Sequence, residues 1–220
     1  VFTISLLVVR FPAPPARRSG ADYRVRAALK YVWADRPLLL ALLAVATVGF
    51  ASDPSITLTP SMADELGGGA KLVGTLSAVF GVGAAVGMVV LALMRGRMAS
   101  ARVSSIGLAG LAAGCGVLAV ATGPVVALAG FALAGLGFGW AMTGLSTVVQ
   151  ERAPEELRGR IMALWLVGFL GSRPIAAALL GGTADAVSVQ AAFAVAAALT
   201  LVVALWCRPS NLLGPLPERA

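Results

Sequence analysis

Two charged residues lie inside otherwise apolar stretches of this sequence, and they are its best candidates for chemistry. Arg173 precedes Pro174 near the middle of one such run, and Asp53 precedes Pro54 in another. A charge at the centre of a bilayer costs at least about 2.5 kcal/mol, so it is expected to have a partner and a function. An aspartate paired with an arginine at that depth can carry or gate a proton. These residues predict a protein that moves a solute.

The composition identifies the apolar stretches as membrane-spanning helices. Of the 220 residues, 59% are hydrophobic and only 12% are charged, and the mean hydropathy is +0.91. These values exclude a soluble globular domain. Six stretches have the roughly 20 residues that a helix needs to cross the hydrocarbon core. They are residues 37–62, 72–94, 103–121, 125–148, 161–183 and 187–206. We therefore expect an all-α integral membrane protein.

Three further segments flank this predicted bundle of residues 37–206. Residues 1–9 are apolar but too short to span, so we expect them to end a preceding transmembrane helix in a longer protein. Residues 10–36 form a basic linker in which prolines precede a stretch of helical spacing, apolar on one face and basic on the other. Such a helix is expected to lie on an anionic membrane surface. Residues 207–220 are expected to be a cytoplasmic tail.

Lysine and arginine concentrate on one side of the six predicted crossings. The opposite loops contain only Lys71, together with Asp64, Glu65 and Asp185. Because cytoplasmic loops accumulate Lys and Arg, both ends of this chain are expected in the cytoplasm of a plasma-membrane protein. The net charge of +7 is explained by this topology and by contact with anionic lipid headgroups, without any nucleic acid.

Asp53 and Arg173 are expected at similar depths. At about 1.5 Å per residue, Asp53 lies roughly 24 Å and Arg173 roughly 18 Å from the cytoplasmic start of its span. Two prolines interrupt the first span, and interrupted helices are common at transport sites. We predict that Asp53, Arg173 and the neighbouring Thr57 face a central cavity. The alternative places Asp53 in the external interface and has Arg173 bond carbonyls freed by Pro174.

Further candidates for this cavity combine hydrogen-bonding groups with an apolar wall, as amphipathic ligands require. The polar candidates are Thr143, Ser146 and Gln150. The wall candidates are Phe50, Phe80, Phe138, Trp140 and Met142. Packing or lipid contact explains aromatic residues in a helix bundle equally well, so both interpretations stay open.

A charged turn follows the fourth predicted span. Pro154 and the two glutamates after it suit the start of a short helix, and later arginines suit its end. The turn has two interpretations: helix capping and topology alone, or a cytoplasmic gate whose ion pairs form in one transport state. The gate candidates are Arg95, Arg97, Glu151, Glu155, Glu156, Arg158 and Arg160.

The sequence predicts no metal site, no cofactor and no enzymatic activity. It contains no histidine, and its two cysteines do not form a disulfide or metal-binding pattern. It lacks the Gly-x-x-x-x-Gly-Lys-Ser/Thr phosphate loop, so the chain itself is not expected to hydrolyse ATP. Small-residue repeats instead predict close helix packing. They begin at Gly83, Gly110 and Gly135.

The order of several motifs resembles the C-terminal half of a major facilitator superfamily transporter. The motifs are the glycine-rich segment Ala134–Trp140, the turn Pro154–Arg160, and Gly171–Pro174 before a final apolar helix. Siderophore exporters and macrolide-efflux proteins are the most similar branch. The family's Gly-x-x-x-Asp-Arg-x-Gly-Arg signature would fall at Met94–Arg97, where this chain lacks the aspartate.

This resemblance implies the C-terminal six helices of a twelve-helix fold. The six spans divide into two sets of three, and the odd number inverts the second set, as in transporter repeats. The resemblance also implies that a missing N-terminal half completes the cavity and that the two halves rock around it. We therefore predict proton-coupled efflux of a small amphipathic drug or siderophore. The alternatives are the membrane subunit of an ATP-driven transporter and a non-transporting membrane scaffold.

Overall fold

The computed structural model describes residues 25–94 and 97–214, and the regular structure in these ranges is helical. In chain order the helices are α1 (Val25–Ala34), α2 (Arg36–Ser52), α3 (Pro54–Thr57), α4 (Thr59–Glu65), α5 (Gly69–Leu93), α6 (Ser100–Ala119), α7 (Pro124–Arg152), α8 (Arg158–Ala186), α9 (Val189–Trp206) and α10 (Pro209–Leu212). Residues 1–9, most of the linker and residues 215–220 lie outside the described residues, so the expectations for them stay predictions.

Within the described residues, six segments are long and apolar enough to cross a membrane. They are Arg36–Thr57, which joins α2 and α3, and the helices α5, α6, α7, α8 and α9. The predicted all-α membrane fold with six spans is therefore confirmed. The spans alternate in direction, so the arginines at their ends gather on one side, which we call the arginine-rich end. Its described members are Arg36, Arg97, Arg102, Arg152, Arg158, Arg160 and Arg208.

The first span is divided where two prolines interrupt it. α2 ends at Ser52, Pro54 begins α3, and Pro60 lies in the first turn of α4, positions that tolerate a missing N–H. Asp53 between them has φ −61° and ψ −44°, so the backbone stays helical through the junction. Asp53 is therefore held at a helix junction rather than in a loop, which fixes its position against the neighbouring helices.

Glycines allow neighbouring spans to approach closely, as the small-residue repeats predict. A Cβ at Gly135 of α7 would lie 2.1 Å from the carbonyl oxygen of Phe80 in α5. A Cβ at Gly114 of α6 would lie 2.4 Å from the backbone nitrogen of Ala134 in α7. No side chain fits at these distances, so both contacts depend on glycine.

α1 lies within residues 10–36, the segment expected to contain a linker helix. Ala28 and Val32 are buried, whereas Val25 and Leu29 on the neighbouring surface are 59% and 40% exposed. One side of α1 therefore packs on the protein and leaves apolar side chains for other contacts, as in a helix at a membrane surface.

α5 and α8 are the least enclosed of the spans. Only 11% of the most apolar stretch of each is buried, compared with 61% for Arg36–Thr57 and 56% for α6. Exposed apolar helix faces suit contact with lipid or with further helices. These two helices therefore present the open faces of the bundle.

Candidate functional site

Asp53 and Arg173 meet between the first and fifth spans. Arg173 Nε lies 3.6 Å from Asp53 Oδ1, and the two side chains are 28% and 7% exposed, respectively. A separation of 3.6 Å is too long for a hydrogen bond, and Arg173 Nε is buried without a hydrogen-bond partner. The residues form a loose ion pair that a small helix movement can tighten or break.

Thr57 holds the aspartate from within the same span. Its Oγ1 donates to Asp53 Oδ2 at 3.0 Å and also lies 3.1 Å from the Asp53 backbone carbonyl oxygen. This bond occupies one carboxylate oxygen, and the other faces Arg173. The structure thus brings together the three residues at the centre of the predicted cavity.

Arg173 is positioned by a helix that continues through a proline. Pro174 lies inside α8, and its missing N–H leaves the carbonyl of Leu170 without a helical partner. Arg173 contacts the Asp53 carboxylate and the ring of Phe169, with Cζ 5.8 Å from the ring centroid. The arginine therefore links α8 to the first span, whereas the alternative had it bond carbonyls of its own helix.

Four aromatic rings continue from Arg173 across three helices. The Phe169 ring stacks on Trp165 with 5.9 Å between centroids and lies 6.3 Å from the ring of Phe138. Phe138 lies 5.6 Å from Phe80 in α5. Tilted and offset pairs at these distances are favourable. We call Trp165, Phe169, Phe138 and Phe80 the aromatic ladder.

Sequence reasoning named only Phe80 and Phe138 from this ladder and missed Trp165 and Phe169. One signal was available for them. Trp165, Phe169 and Arg173 follow each other at four-residue steps, which places them on one face of a helix. A cavity-facing arginine therefore points to the aromatic residues one and two turns before it.

A polar groove lies between α7 and α8, beside the aromatic ladder. It has a volume of about 420 Å³. Gln150 Nε2 donates to Ser146 Oγ at 2.9 Å, whereas Trp165 Nε1 is buried without a hydrogen-bond partner. An aromatic wall, hydroxyl groups and an unused N–H donor suit an amphipathic ligand. The residues lining the polar groove are Met142, Thr143, Ser146, Thr147, Gln150 and Trp165.

Two of the predicted wall residues lie elsewhere. Trp140 Nε1 donates to the carbonyl of Gly87 at 2.7 Å and so ties α7 to α5. Phe50 lines a different groove, which is bounded by α2, α8 and α9. Both residues have the packing or membrane-facing surroundings that the sequence left open for aromatic side chains.

Among the gate candidates, Glu151 and Arg97 do not pair with each other within residues 25–94 and 97–214. Glu151 accepts a hydrogen bond from Ser100 Oγ at 2.8 Å, and Arg97 forms no ion pair with the turn after α7. Arg95 lies outside the described residues. The other candidates lie in the turn or at the start of α8: Glu155, Glu156, Arg158 and Arg160.

A second ion pair, at the arginine-rich end, was not predicted. Arg152 Nε lies 2.9 and 3.1 Å from the two carboxylate oxygens of Asp35, and both residues are buried. Asp35 also caps α2 by accepting from the Leu38 backbone N–H at 3.1 Å. An aspartate two residues before Pro37 is a recognisable capping signal. Its arginine partner, 117 residues away, carries no local signal.

Comparison with known proteins agrees with this architecture. A family model described as the Major Facilitator Superfamily matches residues 39–219. The E. coli fucose:proton symporter FucP is similar in structure, with a TM-score of 0.73 and 17% identity over 93% of this chain and 50% of that chain. The peptide transporter POT, in complex with sulfate, has a TM-score of 0.70 and 19% identity over 81% of this chain and 39% of that chain.

A third similar structure is a bacterial homolog of the human lysosomal transporter Spinster, in an inward-facing and unoccupied conformation. It has a TM-score of 0.59 and 15% identity over 96% of this chain and 55% of that chain. This chain thus spans about half the length of the solved structures, and at these identities the likeness shows the fold alone. No curated protein matches the sequence.

Proposed function

This chain belongs to the Major Facilitator Superfamily, and we propose that it supplies six helices of a secondary transporter whose central cavity is bordered by the polar groove and the aromatic ladder. Family membership sets the chain among multi-pass transporters rather than enzymes. In the proposal, the chain is the C-terminal half, and further helices cover the open faces of α5 and α8. A cavity then forms between the two halves.

The Asp53–Arg173 pair, 3.6 Å apart at membrane depth, is the observation that carries the proposal. Each charge stabilises the other where neither is well solvated. When Asp53 binds a proton, Arg173 loses its counter-charge. The conformation that holds the two side chains together is then no longer favoured by their attraction. Protonation of Asp53 is therefore coupled to movement of α8 relative to the first span.

The aromatic ladder connects this proton site to the polar groove. Phe169 touches both Arg173 and Trp165, and Trp165 forms part of the groove wall. A displacement of α8 at Arg173 is accordingly transmitted to the groove within two helical turns. The proposed substrate is a small amphipathic molecule, of the drug or siderophore type, whose acceptor group binds Trp165 Nε1 when movement of α8 uncovers this buried N–H.

The proposed direction of transport is outward, as the resemblance to efflux proteins implies. We assign the arginine-rich end to the cytoplasm of a plasma-membrane protein, because short cytoplasmic loops accumulate arginine. Protons that enter through Asp53 then drive the substrate outward. A cytoplasmic gate completes this cycle: Glu151, bonded to Ser100 in this structure, exchanges that partner for Arg97 in another state.

Transport by the full-length protein in proteoliposomes with an imposed pH gradient tests the proposal. A drug and siderophore panel identifies the substrate. We expect Asp53→Asn to reduce gradient-driven flux at least about tenfold and to leave substrate binding measurable, because the neutral amide cannot release a proton. Asp64→Asn, which changes an exposed acid in the nearby helix α4, is the matched control.

Proton-driven flux that survives Asp53→Asn would overturn the proton role. Flux that needs ATP and ignores the gradient would instead indicate an ATP-driven transporter. No flux for any substrate, together with capture of a partner protein, would indicate a scaffold.

A further inference from the structure

An apolar groove of about 340 Å³ lies between α2, α8 and α9, separate from the polar groove. Leu43, Ile175 and Leu199 line it and are 52%, 58% and 40% exposed. Its two hydroxyl groups are already engaged: Thr47 donates to the Leu43 carbonyl and Ser172 to the Phe169 carbonyl, each at 3.0 Å. Neither hydroxyl is therefore free to donate to a ligand, and the apolar lining suits a hydrocarbon chain.

The length of the apolar groove matches one leaflet of a bilayer. Its lining on α2 runs from Leu40 to Phe50, about 15 Å at 1.5 Å per residue, which is half of a hydrocarbon core of roughly 30 Å. One end lies at the arginine-rich end, where the Cys207 Sγ–H donates to the Leu40 carbonyl at 3.8 Å. The other end lies at Ser172, next to Arg173. The groove thus runs from the membrane surface to mid-membrane.

Two exposed arginines stand at the surface end of the apolar groove. Arg36 precedes Leu40 and Leu43 by four and seven residues, so it continues their stripe along α2 toward the surface. Arg208 follows Cys207 directly and therefore lies close to the Leu40 turn. Both arginines are exposed. Two cations thus lie where the headgroup of a lipid in the groove would be.

We propose that the apolar groove binds one acyl chain of an anionic glycerophospholipid, whose phosphate lies against Arg36 and Arg208. Trp206, at the same end of α9 and 62% exposed, suits the headgroup level, where tryptophan is enriched. Basic sites between spans at that level bind anionic headgroups. This lipid site is distinct from the proposed transport cavity and does not depend on the substrate carried there.

Native mass spectrometry of the full-length protein with dioleoyl phosphatidylglycerol and dioleoyl phosphatidylcholine tests the proposal. We expect a lipid adduct that forms preferentially with phosphatidylglycerol. The double variant Arg36→Gln/Arg208→Gln should weaken phosphatidylglycerol binding roughly 30-fold. Its matched control, Arg26→Gln/Lys30→Gln, removes two cations from α1 and should leave that adduct nearly unchanged.

Filling the groove gives a second, independent arm. Leu199→Trp should abolish the adduct, whereas Leu201→Trp, at a 50% exposed position of α9 outside the groove lining, should retain it. Ala46→Leu fills the groove from α2 and replaces Leu199→Trp if that variant does not fold. A photoreactive acyl chain on phosphatidylglycerol should label the peptides that contain Leu43 and Leu199.

Three results would overturn the lipid site. Equal losses from the two double variants would indicate general electrostatic attraction. Equal binding of the two lipids would remove the role of the arginines. The third result is photolabelling that misses Leu43 and Leu199, together with a cross-linker at Leu199 that captures another helix of the protein. That result would show that the groove is a helix-packing surface.

Discussion

Asp35 and Arg152 are joined by hydrogen bonds of 2.9 and 3.1 Å although they are 117 residues apart. The pair connects the start of the first span to the end of the fourth. Arg152 Nη1 also donates to the carbonyl of Gly214 at 2.8 Å, so the segment after α10 is fixed at the same point. Three separate parts of the chain therefore depend on one buried ion pair at the arginine-rich end.

Removing one charge of this pair should destabilise the protein strongly. Asp35→Asn removes the carboxylate that Arg152 contacts at 2.9 and 3.1 Å inside the fold, and we expect a loss of about 3 kcal/mol in the free energy of unfolding. Denaturant unfolding in detergent measures it. Glu155→Gln, at an exposed position of the turn after α7, should change stability by less than about 0.5 kcal/mol. Equal stability of the two variants would contradict a structural role for Asp35.

Loss of the Asp53–Arg173 pair should affect transport more than stability. Arg173 makes no hydrogen bond to Asp53 and is 28% exposed, so Arg173→Gln should cost less than about half the stability lost with Arg152→Gln. Arg173→Gln should nevertheless reduce proton-driven flux more than Arg152→Gln does. Unfolding and flux measured on both variants check this ordering. A reversed order, with coupling lost only in Arg152→Gln, would move the proton site to the arginine-rich end.

The depth of a residue within its span could be predicted from the sequence, but the contacts between side chains of different spans could not. The helical rise converts residue spacing into depth, and spacing alone places Asp53 and Arg173 at similar levels of their spans. Which helix faces meet depends on how the spans pack. Asp35 and Arg152 meet only because the first and fourth spans are neighbours at one end, and no local pattern in the sequence encodes that.

Two half-buried tryptophans illustrate the same limit. Trp140 and Trp165 both lie within apolar helices, and composition does not distinguish them. In the fold, Trp140 bonds Gly87 in a helix-packing contact, while Trp165 lines the polar groove with its N–H unused. Whether a tryptophan packs between helices or lines the groove depends on the helix face that carries it and on the helices that this face meets.

These two tryptophans give a matched pair of variants. Trp140→Phe removes the hydrogen bond from Nε1 to the Gly87 carbonyl, which ties α7 to α5, so we expect a stability loss of about 1 kcal/mol. Trp165→Phe removes a donor that has no partner and should leave stability nearly unchanged. If Trp165 Nε1 binds substrate, that variant alone should weaken substrate affinity. Denaturant unfolding and equilibrium substrate binding, measured on both variants, test this difference. Equal stability losses in the two variants would contradict it.

Close packing of α5 on α7 can be tested at two glycines. A Cβ at Gly135 would lie 2.1 Å from the Phe80 carbonyl oxygen, so Gly135→Ala must separate the helices, at a cost of about 2 kcal/mol. Gly81→Ala meets nothing within 4 Å and should be neutral or slightly stabilising. Thermal unfolding of both variants measures the difference. A Gly135→Ala protein as stable as Gly81→Ala would show that the helices do not approach this closely.

Cys207, just beyond α9 at the surface end of the apolar groove, should react slowly with alkylating reagents. Burial raises the pKa of its thiol from 9.0 to about 11, because the thiolate is poorly solvated there. At pH 8 the folded protein should therefore hold about 100-fold less thiolate at this site than the unfolded chain. Its alkylation rate should keep rising tenfold per pH unit up to about pH 11, whereas the unfolded chain should level off near pH 9. Iodoacetamide kinetics in a Cys115→Ala background assign the signal to Cys207, and a plateau near pH 9 in the folded protein would show that the thiol is solvated.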